Sequence, residues 1–324
     1  YTSDADHDLV LRTPSNYLQF VKKIDDKVTY RSRLRFKDDD WGLQWKENFI
    51  TVKLPYDITG KFGMMSLIDW EGDSGLYQAD FGDDAWFLDG RYEGMWFKKD
   101  FSMGDFQVFF AEAGTGDSYF AGDETGYLYG ARANFNVNEQ FRFAVNGFAY
   151  DLDYDDDFNV YWADFAFNFT PDIAFKGAYY FEDVPWDNSV NGWKAILDMN
   201  ENVLKFTSLW VEYGKMDSGF VTDKQFLAYA EGPAGAGWFF DEPWGGDKDY
   251  FLIIAKQPWT EKFSTWVRYL QASADYAPDH QNYGVFFQYQ YTPALMFELG
   301  YDKYDDDDDY YDDSMIRFRT QVSF

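Results

Sequence analysis

The chain has 324 residues, no cysteine, 28 Lys and Arg against 57 Asp and Glu, and a formal net charge of -29. That balance argues against nucleic acid, whose binding depends on Lys and Arg neutralising phosphates, and the lack of cysteine removes disulfides, thiolate metal sites and cysteine nucleophiles. Aromatic residues make up 23% of the chain while mean hydropathy is -0.51, and no stretch approaches the ~18 uncharged apolar residues of a spanning helix.

Residues 1–27 come first. The chain is expected to be mature or trimmed, since no signal peptide opens it. Tyr17 to Ile24 could be a short helix or an extra strand, and the whole segment is taken as a lead-in. Period-2 segments bounded by Gly, Pro, Asn and Asp then predict strands at roughly 28–36, 42–54, 61–70, 86–98, 105–113, 126–136, 140–150 and 158–169. They continue at roughly 173–182, 190–199, 202–214, 248–256, 262–273, 282–292, 294–303 and 314–324, about sixteen in all.

The connections alternate in kind. Tyr56–Gly60, Asn136–Glu139, Thr170–Asp172, Asn200–Asn202 and Tyr291–Pro293 are short turns,. Glu71–Ala85, Gly114–Thr125, Asp151–Asp157 and Lys215–Asp247 are longer. Acid collects in runs at Asp38–Asp40, Asp151–Asp157, Asp241–Asp249 and Asp302–Asp313. Aspartate is disfavoured in strands, so these runs read as loops.

The last segment places Ile316, Phe318, Thr320, Val322 and Phe324 on one face and Arg317, Arg319, Gln321 and Ser323 on the other. A strand of roughly 9 to 11 residues with lipid on one side and water on the other must alternate in this way. Its terminal aromatic resembles the C-terminal signature of bacterial outer-membrane barrels. Backbone groups inside a bilayer must be paired, which leaves a closed barrel as the spanning structure for strands. The expected fold is therefore all-β: a closed antiparallel transmembrane barrel over 28–324, with short periplasmic turns, longer acidic external loops and a periplasmic lead-in over 1–27. An even strand number is what a single-chain bacterial barrel takes when both termini share a side.

Charge fixes the phase. Arg31, Arg33 and Arg35 alternate with Tyr30, Leu34 and Phe36, and each Arg facing lipid near the midplane would cost roughly 2–4 kcal/mol. These three, with Arg317 and Arg319, are expected to face the lumen, and closure would set the first and last strands side by side as one basic patch. Arg91, Arg132, Arg142 and Arg268 fall out of phase with Tyr92 and Trp96, Tyr129 and Phe135, Phe141 and Phe143, and Val267 and Tyr269, and are likewise expected to line the channel. Inward acids on the same phase are Asp89, Glu93, Asp164, Glu182, Asp198 and Glu298. Either these charges oppose the arginines across the pore or they pair with one another and keep the lumen wet.

Other features read more plainly. The acidic runs could hold Ca²⁺, but Asp305–Asp309 lacks EF-hand spacing and a turn glycine, so a solvated acidic rim is the reading taken; no cofactor is expected. His7 and His280 lie in the lead-in and in a predicted loop, which offers no Ser-His-acid arrangement. Trp41, Trp45, Trp70, Trp86, Trp96, Trp186, Trp193, Trp210 and Trp266 fit interfacial girdles. Trp162, Tyr180 and Phe286 are in the lumen phase, where aromatics could stack on sugars.

The chain resembles bacterial trimeric porins over 28–324. The stretches Val184-Pro185-Trp186-Asp187-Asn188-Ser189-Val190-Asn191-Gly192-Trp193-Lys194-Ala195-Ile196-Leu197-Asp198 and Leu204-Lys205-Phe206-Thr207-Ser208-Leu209-Trp210-Val211-Glu212-Tyr213-Gly214 are similar to the barrel of S-layer-homology (OmpM-type) porins of diderm Firmicutes. In sixteen-stranded porins the loop after the fifth strand folds inward, and that resemblance makes Asp117, Asp123 and Glu124 candidates for a constriction. The Lys215–Asp247 loop, with Gly232 to Gly237, is a rival. The resemblance implies a non-catalytic outer-membrane homotrimer in the lipid bilayer that passes small hydrophilic solutes. A structural role tethering the outer membrane to the cell wall, through an N-terminal region not in this sequence, is the alternative; a soluble carbohydrate-binding β-protein is a third.

Overall fold

A computed structural model of the chain describes residues 16–36, 43–67, 70, 76, 88, 91–113, 126–152, 158–184, 187–204, 207–220, 246–306 and 313–322. They build one sheet of 17 strands. The first nine are β1 (Asn16–Lys23), β2 (Val28–Phe36), β3 (Leu43–Leu54), β4 (Ile58–Met65), β5 (Tyr92–Phe101), β6 (Gly104–Ala113), β7 (Gly126–Asn136), β8 (Phe141–Leu152) and β9 (Phe158–Thr170). The rest are β10 (Ile173–Val184), β11 (Asp187–Met199), β12 (Ser208–Met216), β13 (Lys248–Pro258), β14 (Phe263–Ala274), β15 (Ala277–Thr292), β16 (Leu295–Asp306) and β17 (Asp313–Val322). Every strand pairs antiparallel with its neighbours in sequence, from β1–β2 to β16–β17.

All the predicted strands are present, with some ends moved. β4 stops at Met65 and β5 begins at Tyr92, while Glu201–Leu204 forms a helical turn before β12. The count of about sixteen is corrected to 17, because Asn16–Lys23 is a strand and not a lead-in. Its Leu18 and Phe20 stand in register with Leu34 and Ser32 of β2, which supplies the pairing that the sequence of this segment does not advertise.

That extra strand changes the seam. β2 has β1 on one edge and β3 on the other, so the expected side-by-side placement of Arg31, Arg33 and Arg35 with β17 does not occur. With an odd number of alternating strands, β1 and β17 run in the same direction. Among the described residues no backbone pairing joins them, and the sheet is not closed there, contrary to the closed ring expected.

Short turns cluster on one rim because side-chain acceptors fold them. Asp25 Oδ1 accepts from the backbone N–H of Lys27 at 2.7 Å and of Val28 at 2.8 Å. Asn138 Oδ1 does the same for Gln140 and Phe141, both at 2.8 Å, and Thr260 Oγ1 for Lys262 and Phe263 at 3.2 and 2.9 Å. These Asx- and ST-type turns replace the ladder where the chain reverses.

The two faces of the sheet differ as alternation requires. On β9, Tyr161 is 50% exposed while the next residue, Trp162, is 5% exposed. On β7, Tyr127 and Tyr129 are exposed and Leu128 and Arg132 are buried. Cross-strand partners share a face, so the register carries this phase around the whole sheet. On the inner face aromatic rings also fill the gaps left by glycine: Phe286 lies against β15 and β16 so closely that a Cβ at Gly284 or Gly300 would come within 2.5 or 2.4 Å of its ring.

Candidate functional site: the inner wall and the segment that crosses it

The inner phase of the strands carries the charge. Arg31 stands on the inner face in register with buried Phe49, and its Nε lies 2.6 Å from Glu47 Oε2. Arg33 and Arg35 share that face and are half-buried. Arg142 is 3.9 Å from Asp164, whose other oxygen accepts from Asn146 Nδ2 at 2.9 Å. Arg268 meets Asp302 at 2.6 Å, and Arg317 meets Glu298 at 3.1 Å while its guanidinium sits 5.3 Å above the Phe286 ring. Arg319 is in register with Glu298 on the same face and is exposed.

Arg132 and Arg268 are buried, and Arg31, Arg33, Arg35, Arg142 and Arg317 are half-buried. Arg91 is different. Its phase was argued from outward Tyr92 and Trp96, yet both of these are buried on the inner face, and Arg91 precedes β5 and donates to the backbone oxygen of Trp45 at 2.9 Å. Glu93 is also corrected: it shares the outward face with Met95 and is exposed, close to the start of β5 where rim water can solvate it. Asp164, Glu182, Asp198 and Glu298 do face inward. Asp89, Asp117, Asp123 and Glu124 lie outside the described residues.

Lysines also line the wall, and these were not singled out from the sequence. Lys61 Nζ lies 3.8 Å above the Trp96 ring, Lys176 is 2.7 Å from Asp198, and Lys194 is 3.6 Å from Glu212 with both side chains 1% exposed. Their position in the inward phase was the available signal. The acids and bases therefore pair mostly with adjacent strands, which favours local neutralisation over two opposed rows of charge.

The girdle reading fails for four tryptophans. Trp70, Trp96, Trp210 and Trp266 are buried, whereas Trp45 and Trp193 are exposed on the outer face; Trp41, Trp86 and Trp186 lie outside the described residues. Trp266 stacks on Phe286 with centroids 3.7 Å apart and planes 8° from parallel. An aromatic ring suits lipid and lumen alike, so ring content could not fix the phase. His280 is likewise on the inner face of β15 and not in a loop.

Inside this wall lies part of the connection between β4 and β5. Leu67, Trp70, Leu76 and Leu88 are all buried. The Trp70 ring meets Phe109 of β6 edge-on at 4.9 Å and Trp162 of β9 at 5.6 Å. Arg132 of β7 donates from Nη1 to the Trp70 carbonyl at 3.1 Å. Lys194 of β11 donates to the Leu76 carbonyl at 3.3 Å. A chain that leaves the sheet at β4 and touches β6, β7, β9 and β11 has crossed the space the sheet encloses. Of the expected constriction segments, 114–125 lies outside the described residues and 215–247 is described only at 215–220 and 246–247, where buried Phe220 meets the Tyr180 ring at 6.4 Å; Trp70 and Leu76 of the β4–β5 connection enter beside it.

An antiparallel sheet of this size, apolar on one face and charged on the other, has the alternation of an outer-membrane β-barrel. No family model matches the chain, and no curated protein matches it. Among solved structures it is similar to three outer-membrane proteins of Pseudomonas aeruginosa. OccK10 (OpdN) gives a TM-score of 0.63 at 9% identity, covering 96% of this chain and 92% of that one. OccD3 (OpdP) gives 0.61 at 12% identity, covering 95% and 86%. OprD gives 0.57 at 12% identity, covering 91% and 82%. These likenesses establish the fold. None of them carries the resemblance of Val184–Asp198 to S-layer-homology porins.

Proposed function

We propose that the chain is a passive outer-membrane channel for small hydrophilic solutes and ions, not an enzyme. The observation that carries the reading is the charged inner wall under an apolar outer face, since a lumen meant only to be packed would not hold Arg31, Arg142, Lys176 and Arg317 at its surface. The fold shared with outer-membrane barrels supports it.

The open path is eccentric in this reading. Inner side chains of β9, β10 and β13 are sealed, with Trp162, Tyr180 and Tyr250 at 5%, 0% and 0% exposure. Near the seam the side chains of Arg31 and Arg317 keep 36% and 22% of their surface. Solutes then pass along an arginine-bearing sector formed by β17, β1 and β2, with Arg31, Arg33, Arg35, Arg317 and Arg319 as its basic groups. Fixed cations in a narrow, wet passage favour anions.

The test is electrical. Purified protein in planar bilayers is expected to give stepwise conductance, and Arg31→Gln/Arg317→Gln/Arg319→Gln is expected to move the reversal potential in a salt gradient toward cation preference. Absence of channels from folded protein refutes the function; channels with an unmoved reversal potential refute the arginine path. A homotrimer belongs to the same proposal and is read from the mass of the detergent-solubilised complex.

A further inference from the structure

We propose that Lys194 and Arg132 are positioning residues that pin the β4–β5 connection to the inner wall at Trp70 and Leu76 and thereby set the aperture of the channel. The inference rests on the channel reading but on different observations: two buried cations, each aimed from the wall at a backbone carbonyl of the crossing segment.

Lys194 begins on the inner face of β11, 1% exposed, between two acceptors. On the wall side is Glu212 of β12, at 3.6 Å. That carboxylate is itself fixed, accepting from Trp210 Nε1 at 2.8 Å and from Tyr250 Oη at 2.6 Å. An anchored anion holds the ammonium in place, and an ammonium has three donors. One of them reaches the Leu76 carbonyl at 3.3 Å. Arg132 of β7 is 0% exposed and donates from Nη1 to the Trp70 carbonyl at 3.1 Å. Water has no access at either point, so no solvent molecule replaces a lost donor, and a charge-assisted bond to a carbonyl is among the stronger kinds.

The two pins work with one wedge. The Trp70 ring stands edge-on to Phe109 and Trp162, which fixes the near end of the segment by packing. Leu76 is buried as well, and the Lys194 bond ties its backbone to a strand four places beyond the one that carries Arg132. Both pins act on main-chain carbonyls, so they fix the backbone at Trp70 and Leu76.

The experiment compares Lys194→Met/Glu212→Gln, which removes the pin without stranding a buried carboxylate, with Lys194→Arg, which keeps a cationic donor. Folding is checked by heat-modifiable gel migration, and two readouts are taken on each folded barrel: single-channel conductance in planar bilayers and the rate of chymotryptic cleavage after Trp70 in detergent. The double variant is expected to raise conductance by about twofold or more, with a noisier open level, because a freed segment no longer narrows the passage. It is also expected to be cut faster, while Lys194→Arg stays at parental values in both. A double variant with parental conductance and parental cleavage overturns the proposal. If parental protein carries no current, the channel reading fails on that evidence, and the cleavage rates alone decide whether the pin exists.

Discussion

The Arg268–Asp302 pair gives the sharpest energetic test of the inner wall. Arg268 Nη2 and Asp302 Oδ2 are 2.6 Å apart, and each side chain is 1% exposed. At an effective dielectric constant of about 20, two unit charges at this separation attract by about 6 kcal/mol. Desolvation opposes that by several kcal/mol per ion, so the net worth of the pair is far smaller than its attraction. Removing one partner is another matter. In Arg268→Met, Asp302 keeps its bond from Asn282 Nδ2 at 3.1 Å but loses its counter-charge where water cannot reach it, at a cost of about 3–5 kcal/mol. The double variant Arg268→Met/Asp302→Leu buries no charge and is expected within about 1 kcal/mol of the parent or above it. Guanidinium unfolding from detergent micelles, followed by tryptophan fluorescence, measures both. A single variant that loses less than about 1 kcal/mol would refute the argument, because the pair would then be solvated and the wall at β14–β16 wet to its base.

Two further outcomes follow from the rim and from the outer face. In the turn between β9 and β10, Asp172 accepts from Asn200 at 2.5 Å and from Asn202 at 3.1 Å, and these bonds hold its carboxyl below the ordinary carboxylate range. Its stabilising contribution is thus present above the unfolded value near 3.8 and is lost as pH falls through the lower folded value,. Unfolding midpoints measured from neutral pH down to strong acid should converge for the parent and Asp172→Ala only in that acid window, and a constant difference across the range would contradict the assignment. Ile316 is 76% exposed on the outer face of β17; Ile316→Arg is expected to cost about 2–4 kcal/mol in a bilayer and almost nothing in a soluble protein, so refolding yield into vesicles of the two chains decides whether that face meets lipid.

How much could be read in advance depended on which residues carried the signal. Arg132, Arg142 and Arg268 carried a phase argument because a charge facing lipid is expensive, and strand alternation then oriented their neighbours. Trp96 and Tyr92 gave the wrong one, since an aromatic ring is as comfortable against a packed lumen as against acyl chains. Glu93 misled for the opposite reason: a carboxylate at a strand's end can face outward where headgroups and water solvate it. β1 stayed undecided between a short helix and an extra strand because Leu18, Phe20 and Val21 break strict alternation. The 66–91 connection has no periodicity at all, and part of it was absorbed into the predicted strands 61–70 and 86–98. What placed it was contact over long sequence separation, Arg132 with Trp70 and Lys194 with Leu76, which no local pattern encodes.

The pairing of inner charges between neighbouring strands bears on how the barrel is assembled. Arg31 finds Glu47 on the next strand, Arg142 finds Asp164, Lys176 finds Asp198 and Arg317 finds Glu298. Each of these four hairpins therefore carries its own counter-ion. A sheet that grows by such units neutralises these charges as each hairpin forms, whereas Arg268 waits for Asp302 two strands further on.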